Sequence, residues 1–325
     1  MQSVRFLVMV GFVLVCGSTF AQVDDNTQSY HTLNSDRYFR LHYDNDFFTN
    51  SDYYYSQGIS LELANPGLSR FLLSKVLLQP RNSSTKYGMS LNVFGYTPTD
   101  ITNDDILYGD RPFASTLYIK NFAVATDTIA HSRLATSLTT GIIGPAAGGK
   151  QIQTGIHRWL NNVIPRGWQF QIANDLVLNY QLSYEKQIAS FHNLLLVSTA
   201  GELQAGTLKD RAGLNISFML GKFNNPYGAP LYHRQGKKHF DCYLFAAPQV
   251  NLIGYDATLQ GGVFNRRSPY TIPASQIERI TFQANAGIVV TIGKLNVEYC
   301  QSYLTREFNT GNYHRWAGLK FGLLF

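Results

Sequence analysis

Four stretches of the chain hold side chains whose types and spacing could do chemistry. Tyr43-Asp44-Asn45-Asp46-Phe47-Phe48-Thr49 clusters carboxylate and amide oxygens, a donor set that suits a hard cation such as Ca²⁺ and that a solvated polar loop would also carry. Asp52-Tyr53-Tyr54-Tyr55-Ser56-Gln57-Gly58 offers one hydroxyl, Ser56, behind three tyrosines. Tyr108-Gly109-Asp110-Arg111-Pro112-Phe113-Ala114-Ser115 sets Asp110 beside Arg111, an adjacent pair of the kind that pins a loop. Gly144-Pro145-Ala146-Ala147-Gly148-Gly149 is a Gly-rich turn opening a short helical pattern, with Ile152, Ile156, Trp159 and Leu160 as its apolar face. Gln153 and His157, four apart, share another face. A lone His is usually structural, but one beside a Gln on a helix held over a polar lumen is a candidate general base. The chain has no Gly-x-Ser-x-Gly elbow and no His-Glu-x-x-His spacing, so neither a strained serine nucleophile nor a zinc site is signalled.

The elements that must position these residues are strands. Alternation with period two recurs along the chain, most clearly at Ile280, Phe282, Ala284, Ala286, Ile288, Val290 and Ile292, with Arg279, Thr281, Gln283, Asn285 and Gly287 between them. It predicts strands near 38–46, 54–65, 86–97, 113–125, 132–143, 169–187, 191–206, 211–222, 237–254, 276–292, 293–305 and 313–325. Strands with one apolar and one polar face build either a soluble sandwich, apolar inside, or a membrane barrel, apolar outside. The barrel is favoured because the chain carries an export signal. Its 20 Tyr and 21 Phe also crowd strand ends as an aromatic girdle does, and the last residues, Leu319 to Phe325, alternate and close on Phe like the insertion signal of bacterial outer-membrane proteins.

The expected fold is all-β, a transmembrane antiparallel barrel of about twelve strands with a short helix in the third outer loop. With both termini periplasmic, loops near 47–53, 98–112, 144–168, 207–210, 255–275 and 306–312 face outward. Around 66–85, Leu68, Phe71, Leu72, Lys75 and Val76 predict a short interfacial helix. Strand parity turns Ser56 to the lumen with Ser60 and Glu62, and Asp44 and Asp46 inward as well.

Residues 1–21 read as a cleaved signal peptide: Arg5, an apolar core from Phe6 to Cys16, and Thr19-Phe20-Ala21 before Gln22. Residues 22–37 are then an N-terminal periplasmic segment and 38–325 the barrel. At 325 residues, 15% charged and 14% aromatic, the chain is neither disordered nor a disulfide scaffold, and no apolar run after the signal is long enough for a membrane helix. Its net charge of +6 is no nucleic-acid footprint in an exported protein. Of the mature cysteines, Cys300 shares parity with lumen residues and Cys242 with lipid-facing ones, so the two thiols should stay free.

The order of Asp44-Asn45-Asp46-Phe47-Phe48, Tyr55-Ser56-Gln57-Gly58, Gly109-Asp110-Arg111-Pro112-Phe113-Ala114 and Gly144-Pro145-Ala146-Ala147-Gly148-Gly149 through Gln153-x-x-x-His157-Arg158 resembles the lipid A 3′-O-deacylase family, LpxR. The likeness continues through Trp168-Gln169-x-Gln171-Ile172 and Tyr255-Asp256-Ala257-Thr258-Leu259-Gln260-Gly261. It implies a carboxylic ester hydrolase in the outer membrane of a Gram-negative bacterium, its site at the outer rim facing the outer leaflet. The substrate would be lipid A of lipopolysaccharide, cleaved at the ester of its 3′-linked acyl chain with Ca²⁺ as cofactor. By position Asn45 and Asp46 match the metal pair, Ser56 a small hydroxyl residue, His157 the catalytic histidine and Gln153 a supporting residue. Asp44, Asp110 and Arg111 remain further candidates. A closed barrel needs no partner subunit, so a monomer is expected among outer-membrane lipid.

Within that chemistry, His157 would take a proton from an attacking water, or activate Ser56 as an acyl-bearing nucleophile; without an elbow at Ser56, water is preferred. Two positions depart from relatives. Thr97 to Tyr108 lacks Lys and Arg and contains Asp100, Asp104 and Asp105, and Asn161-Asn162-Val163 stands where some relatives have an acidic residue. An outer-membrane phospholipase and a non-enzymatic pore or surface-binding barrel are the other readings.

Overall fold

The computed structural model describes residues 33, 35–49, 53–81, 83–227 and 240–325. The expected signal peptide and most of segment 22–37 lie outside the described residues. Twelve antiparallel strands close into a barrel, each paired with its neighbours in sequence and the first with the last. They are β1 Tyr38–Asn45, β2 Tyr54–Ala64, β3 Ser84–Thr97, β4 Ala114–Asp127, β5 Ser132–Ile143, β6 Asp175–Phe191, β7 Leu195–Gly206, β8 Lys209–Lys222, β9 Phe240–Asp256, β10 Ile280–Ile292, β11 Leu295–Leu304 and β12 His314–Leu324. The third outer loop carries helix α1, Gly149–Trp159, and the fifth a single helical turn, α2, Ala257–Gln260.

The alternation that predicts the strands also sets their faces. Leu41, Leu61, Leu91 and Ile119 pair across β1–β4 and are exposed on the outside, as a lipid-facing row must be. The residues between them point into the barrel, where the lumen is lined by buried ion pairs between neighbouring strands: Arg40–Glu62 and Lys320–Glu298 at 3.0 Å, Arg133–Glu185 and Arg211–Glu202 at 2.8 Å. A cavity of about 120 Å³ remains among Arg133, Glu185, Leu196, Tyr227, Tyr243 and Lys320. Cys300 is buried in the lumen and Cys242 is half-buried on the alternate face; both are free thiols.

The structure differs from the sequence reading in two places. β6 begins at Asp175 rather than near 169, because Trp168–Phe170 forms a 3-10 turn whose Trp168 is buried under the third loop. The segment after β2 is two 3-10 turns, Pro66–Arg70 and Leu72–Val76, interrupted at Phe71, instead of one helix. It lies on the outside of the barrel, where Ser74 is hydrogen-bonded to Asn121 of β4 at 3.1 Å and Tyr180 of β6 donates to Val76 O at 3.1 Å. The turn joining β8 to β9 is also long, and its residues 228–239 lie outside the described residues, together with the start of the predicted strand 237–254.

Candidate active site

The site is built on the outer wall of the barrel, just above the lipid-facing row. Register aligns Asn45 of β1 with Gln57 of β2, Gln57 with Gly95 of β3, and Gly95 with Ser115 of β4. All four occupy outward positions of their strands, two pairs above the row Leu41–Leu61–Leu91–Ile119. There the apolar alternation gives way to polar and small residues.

A β-bulge makes this row possible. Tyr55 pairs with Tyr96 and Gln57 with Gly95, so Ser56 is an extra residue with no cross-strand partner. The bulge shifts parity along β2. Ser56 therefore does not face the lumen with Ser60 and Glu62, as simple alternation predicts; its Oγ lies 2.5 Å from Oγ1 of Thr97, at an outward position of β3. Its carbonyl accepts a hydrogen bond from Asn45 Nδ2 at 2.8 Å, and the same amide reaches Tyr43 OH at 3.2 Å. Bulges commonly re-aim a side chain beside a functional site. The residue two before the bulge, Tyr54, has φ 72°, a conformation a bulky side chain seldom takes.

Helix α1 covers this wall. It touches β3 and β4 and buries Gly149, Gln153 and His157, one residue per turn, against them. Gly149 sits so close to Ser115 that a Cβ there would lie 2.5 Å from the Ser115 side chain and 2.9 Å from the Trp168 ring. The Gln153–His157 face thus looks onto the outer wall, not over the lumen, because the loop folds back outside the rim. Of the expected apolar face, Ile152 and Ile156 are half-buried, while Trp159 and Leu160 are exposed.

His157 is held by its Nδ1, 2.5 Å from Val163 O. A carbonyl can only accept, so Nδ1 carries the proton and Nε2 keeps the lone pair, as a general base requires. Gln153 Oε1 accepts from Trp168 Nε1 at 2.8 Å, and its Nε2 is buried without a hydrogen-bond partner. Trp168 packs on Phe113, ring centroids 4.9 Å apart, and Ile172 N donates to Phe113 O at 2.9 Å, which ties α1 to the second outer loop.

Asn45 and Asp46 sit at the end of β1 and the start of the following 3-10 turn, Asp46–Thr49, with Asp46 buried. Asn45, Asp46 and the Ser56 carbonyl, to which Asn45 Nδ2 donates, offer oxygen donors of the type hard cations take. Among the described residues no three His, Cys, Asp or Glu side chains converge on a metal position, so a cation here would draw on amide and carbonyl oxygens beside one carboxylate.

The remaining candidates lie elsewhere. Asp44 faces the lumen, its Oδ1 2.5 Å from His42 Nε2 and its Oδ2 accepting from Tyr55 OH at 3.3 Å. Asp110 and Arg111 do not pair with each other. Asp110 accepts from Thr99 N at 2.8 Å and Thr99 Oγ1 at 2.5 Å, and from Arg111 N at 2.7 Å. Arg111 turns into the mouth, where it is ion-paired with Glu307, donates to Thr258 Oγ1 at 2.7 Å and stacks 4.5 Å over the Tyr96 ring. Thr258 in turn donates to Asp256, which Lys209 meets at 3.0 Å. These buried contacts bind the second, fifth and sixth outer loops into a cap over the lumen. Tyr270, whose phenol burial pushes above its ordinary pKa, stays protonated and bridges Gly109 N and Asp110 O. Outside the cap, Thr102's hydroxyl and N–H hold the Asp100 carboxyl below its usual pKa, so the exposed second loop keeps its negative charge.

A family model described as outer membrane protein LpxR matches residues 7–325. The solved structure of LpxR from Salmonella typhimurium superposes with a TM-score of 0.70 at 17% identity, covering 89% of this chain and 100% of that one. The β domain of the Bordetella autotransporter BrkA aligns over 89% of this chain and 97% of its own with a TM-score of 0.40 at 10% identity. No curated protein matches the chain.

Proposed function

The chain belongs to the LpxR family of outer membrane proteins, and from that footing we propose that it is a lipid A 3′-O-deacylase, a carboxylic ester hydrolase working at the outer leaflet. The observation that carries the reading is His157, fixed through Nδ1 and set with a buried, unpartnered Gln153 amide on the face of α1 that covers a polar break in the lipid-facing wall. That arrangement serves a substrate whose reacting bond lies at the membrane surface. It does not serve a solute crossing the lumen, over whose mouth the Arg111–Glu307 pair ties two outer loops together.

In this mechanism His157 Nε2 takes a proton from water as the water attacks the ester carbonyl, and returns it to the sugar oxygen as that oxygen leaves. Negative charge gathers on the carbonyl oxygen, where the Gln153 Nε2 hydrogens are suited to receive it. Ser56 positions the water or the oxyanion through its hydroxyl, which Thr97 orients. Asn45 and Asp46 would hold Ca²⁺, which when bound supplies Lewis-acid polarisation of the ester. Everything the proposal needs lies in one chain, so the enzyme is read as a monomer.

Mass spectrometry of lipid A incubated with the purified, refolded protein tests the reading. The expected product has lost one acyl or acyloxyacyl group from the 3′ position. Intact lipid A alongside cleaved glycerophospholipid would replace the reading with a phospholipase, and no change in either lipid would remove the enzymatic reading.

A further inference from the structure

Helix α1 ends in an exposed apolar stretch. Gly149, Gln153 and His157 are buried against the barrel, and Ile152 and Ile156 beside them are half-buried. From the last turn onward the apolar residues are exposed, with Trp159 at 84%, Leu160 at 57% and Val163 at 54%. The segment 144–167 contains no Asp or Glu, while Lys150 and Arg158 are exposed on its flanks. Exposed Trp and Leu beside cationic residues form the pattern of an element lying in a membrane interface, apolar side in the acyl chains and cations at the phosphates.

The barrel's dimensions point the same way. α1 begins on Ser115 of β4, and the 3-10 turn Leu72–Val76 is tied to Asn121 of the same strand. Six residues of strand amount to about 20 Å, or roughly 15 Å along the barrel axis at the usual tilt. The apolar band of an outer-membrane barrel is about 25 Å tall. Both collars cannot lie outside it. The lower one also exposes apolar residues, Leu72 at 71% and Val76 at 55%. Directly below Ser115 on the wall, the row Leu117–Ile142–Leu176 runs beneath the start of α1, so the helix sits at the upper edge of the lipid-facing surface of the strands.

We propose that the last turn of α1, with Trp159, and residues 160–164 form an interfacial wedge immersed in the acyl chains of the outer leaflet, beside the His157 face. The immersion does not rest on the deacylase reading. The chain has three Trp, of which Trp168 and Trp316 are buried inside the protein, so Trp159 reports the wedge. The full chain is refolded into phosphatidylcholine vesicles with and without bromine on the acyl chains. The expected result is a blue-shifted Trp159 component that brominated lipid quenches, that aqueous iodide leaves untouched, and that is missing from a heat-modifiable, folded Trp159→Phe protein. Equal bromolipid quenching of wild type and Trp159→Phe, or a Trp159 component quenched by iodide, would overturn the wedge. Because the readout needs no turnover, an immersed Trp159 in a protein that leaves lipid A intact would retain the wedge and remove only the deacylase.

Discussion

Ser56 carries the sharpest chemical choice in the site. Its hydroxyl meets Thr97 Oγ1 at 2.5 Å, its carbonyl is taken by Asn45, and no strained elbow raises it toward a substrate. A residue held this way positions; it is poorly arranged to attack. Ser56→Ala should therefore slow hydrolysis by about tenfold to a hundredfold, the effect of one hydrogen bond to developing charge, and leave no acyl adduct on quenched wild-type protein. Complete loss, with a trapped acyl-serine in the wild type, would make Ser56 the nucleophile. For the metal, EDTA should abolish activity and Ca²⁺ restore it better than Mg²⁺, whose octahedral demand and slow dehydration suit a small, flexible oxygen set poorly. Asp46→Ala should be inactive with or without Ca²⁺; full activity in chelator would leave Asp46 a purely structural role. The shared helix face of Gln153 and His157 was legible in the sequence from their spacing of four. The direction Ser56 faces was not, because a bulge reverses parity without altering composition.

At the scale of elements, the period-two alternation located all twelve strands because a barrel wall in lipid imposes it on every strand. What alternation hid was its own interruption. Asn45, Gln57, Gly95 and Ser115 each stand at an outward position that an apolar residue should fill, but they meet only through register, which no single strand reveals. Residues 169–174 were misread as strand because packing beneath the third outer loop, not a ladder, selects residues such as Ile172. Close approach at Gly149 is what lets α1 seat on the wall. Gly149→Leu would force its side chain into Ser115 and Trp168 and lift the helix. Activity should fall by about a hundredfold or more, as expected when catalytic groups are displaced by an ångström, while heat-modifiability on gels stays as in the wild type. Unchanged turnover would mean that α1 need not touch the wall for catalysis.

For the molecule as a whole, the barrel divides its polar residues between two tasks. Inside, ion pairs between neighbouring strands line the lumen and the Arg111–Glu307 contacts cap its mouth. Outside, a short polar row under α1 breaks the lipid-facing wall, and there His157 is fixed with Nε2 as its open nitrogen. Cleavage of lipid A at this outer-wall site is decided by mass spectrometry of lipid A from Gram-negative cells expressing the wild-type chain or the His157→Ala variant, with equal amounts of heat-modifiable barrel in their outer membranes. Removing a general base costs about a hundredfold to ten-thousandfold. Lipid A shortened by one 3′-linked acyl group is expected in the first strain and unmodified lipid A in the second. Equal deacylation in both would remove His157 and the outer-wall site from the reaction.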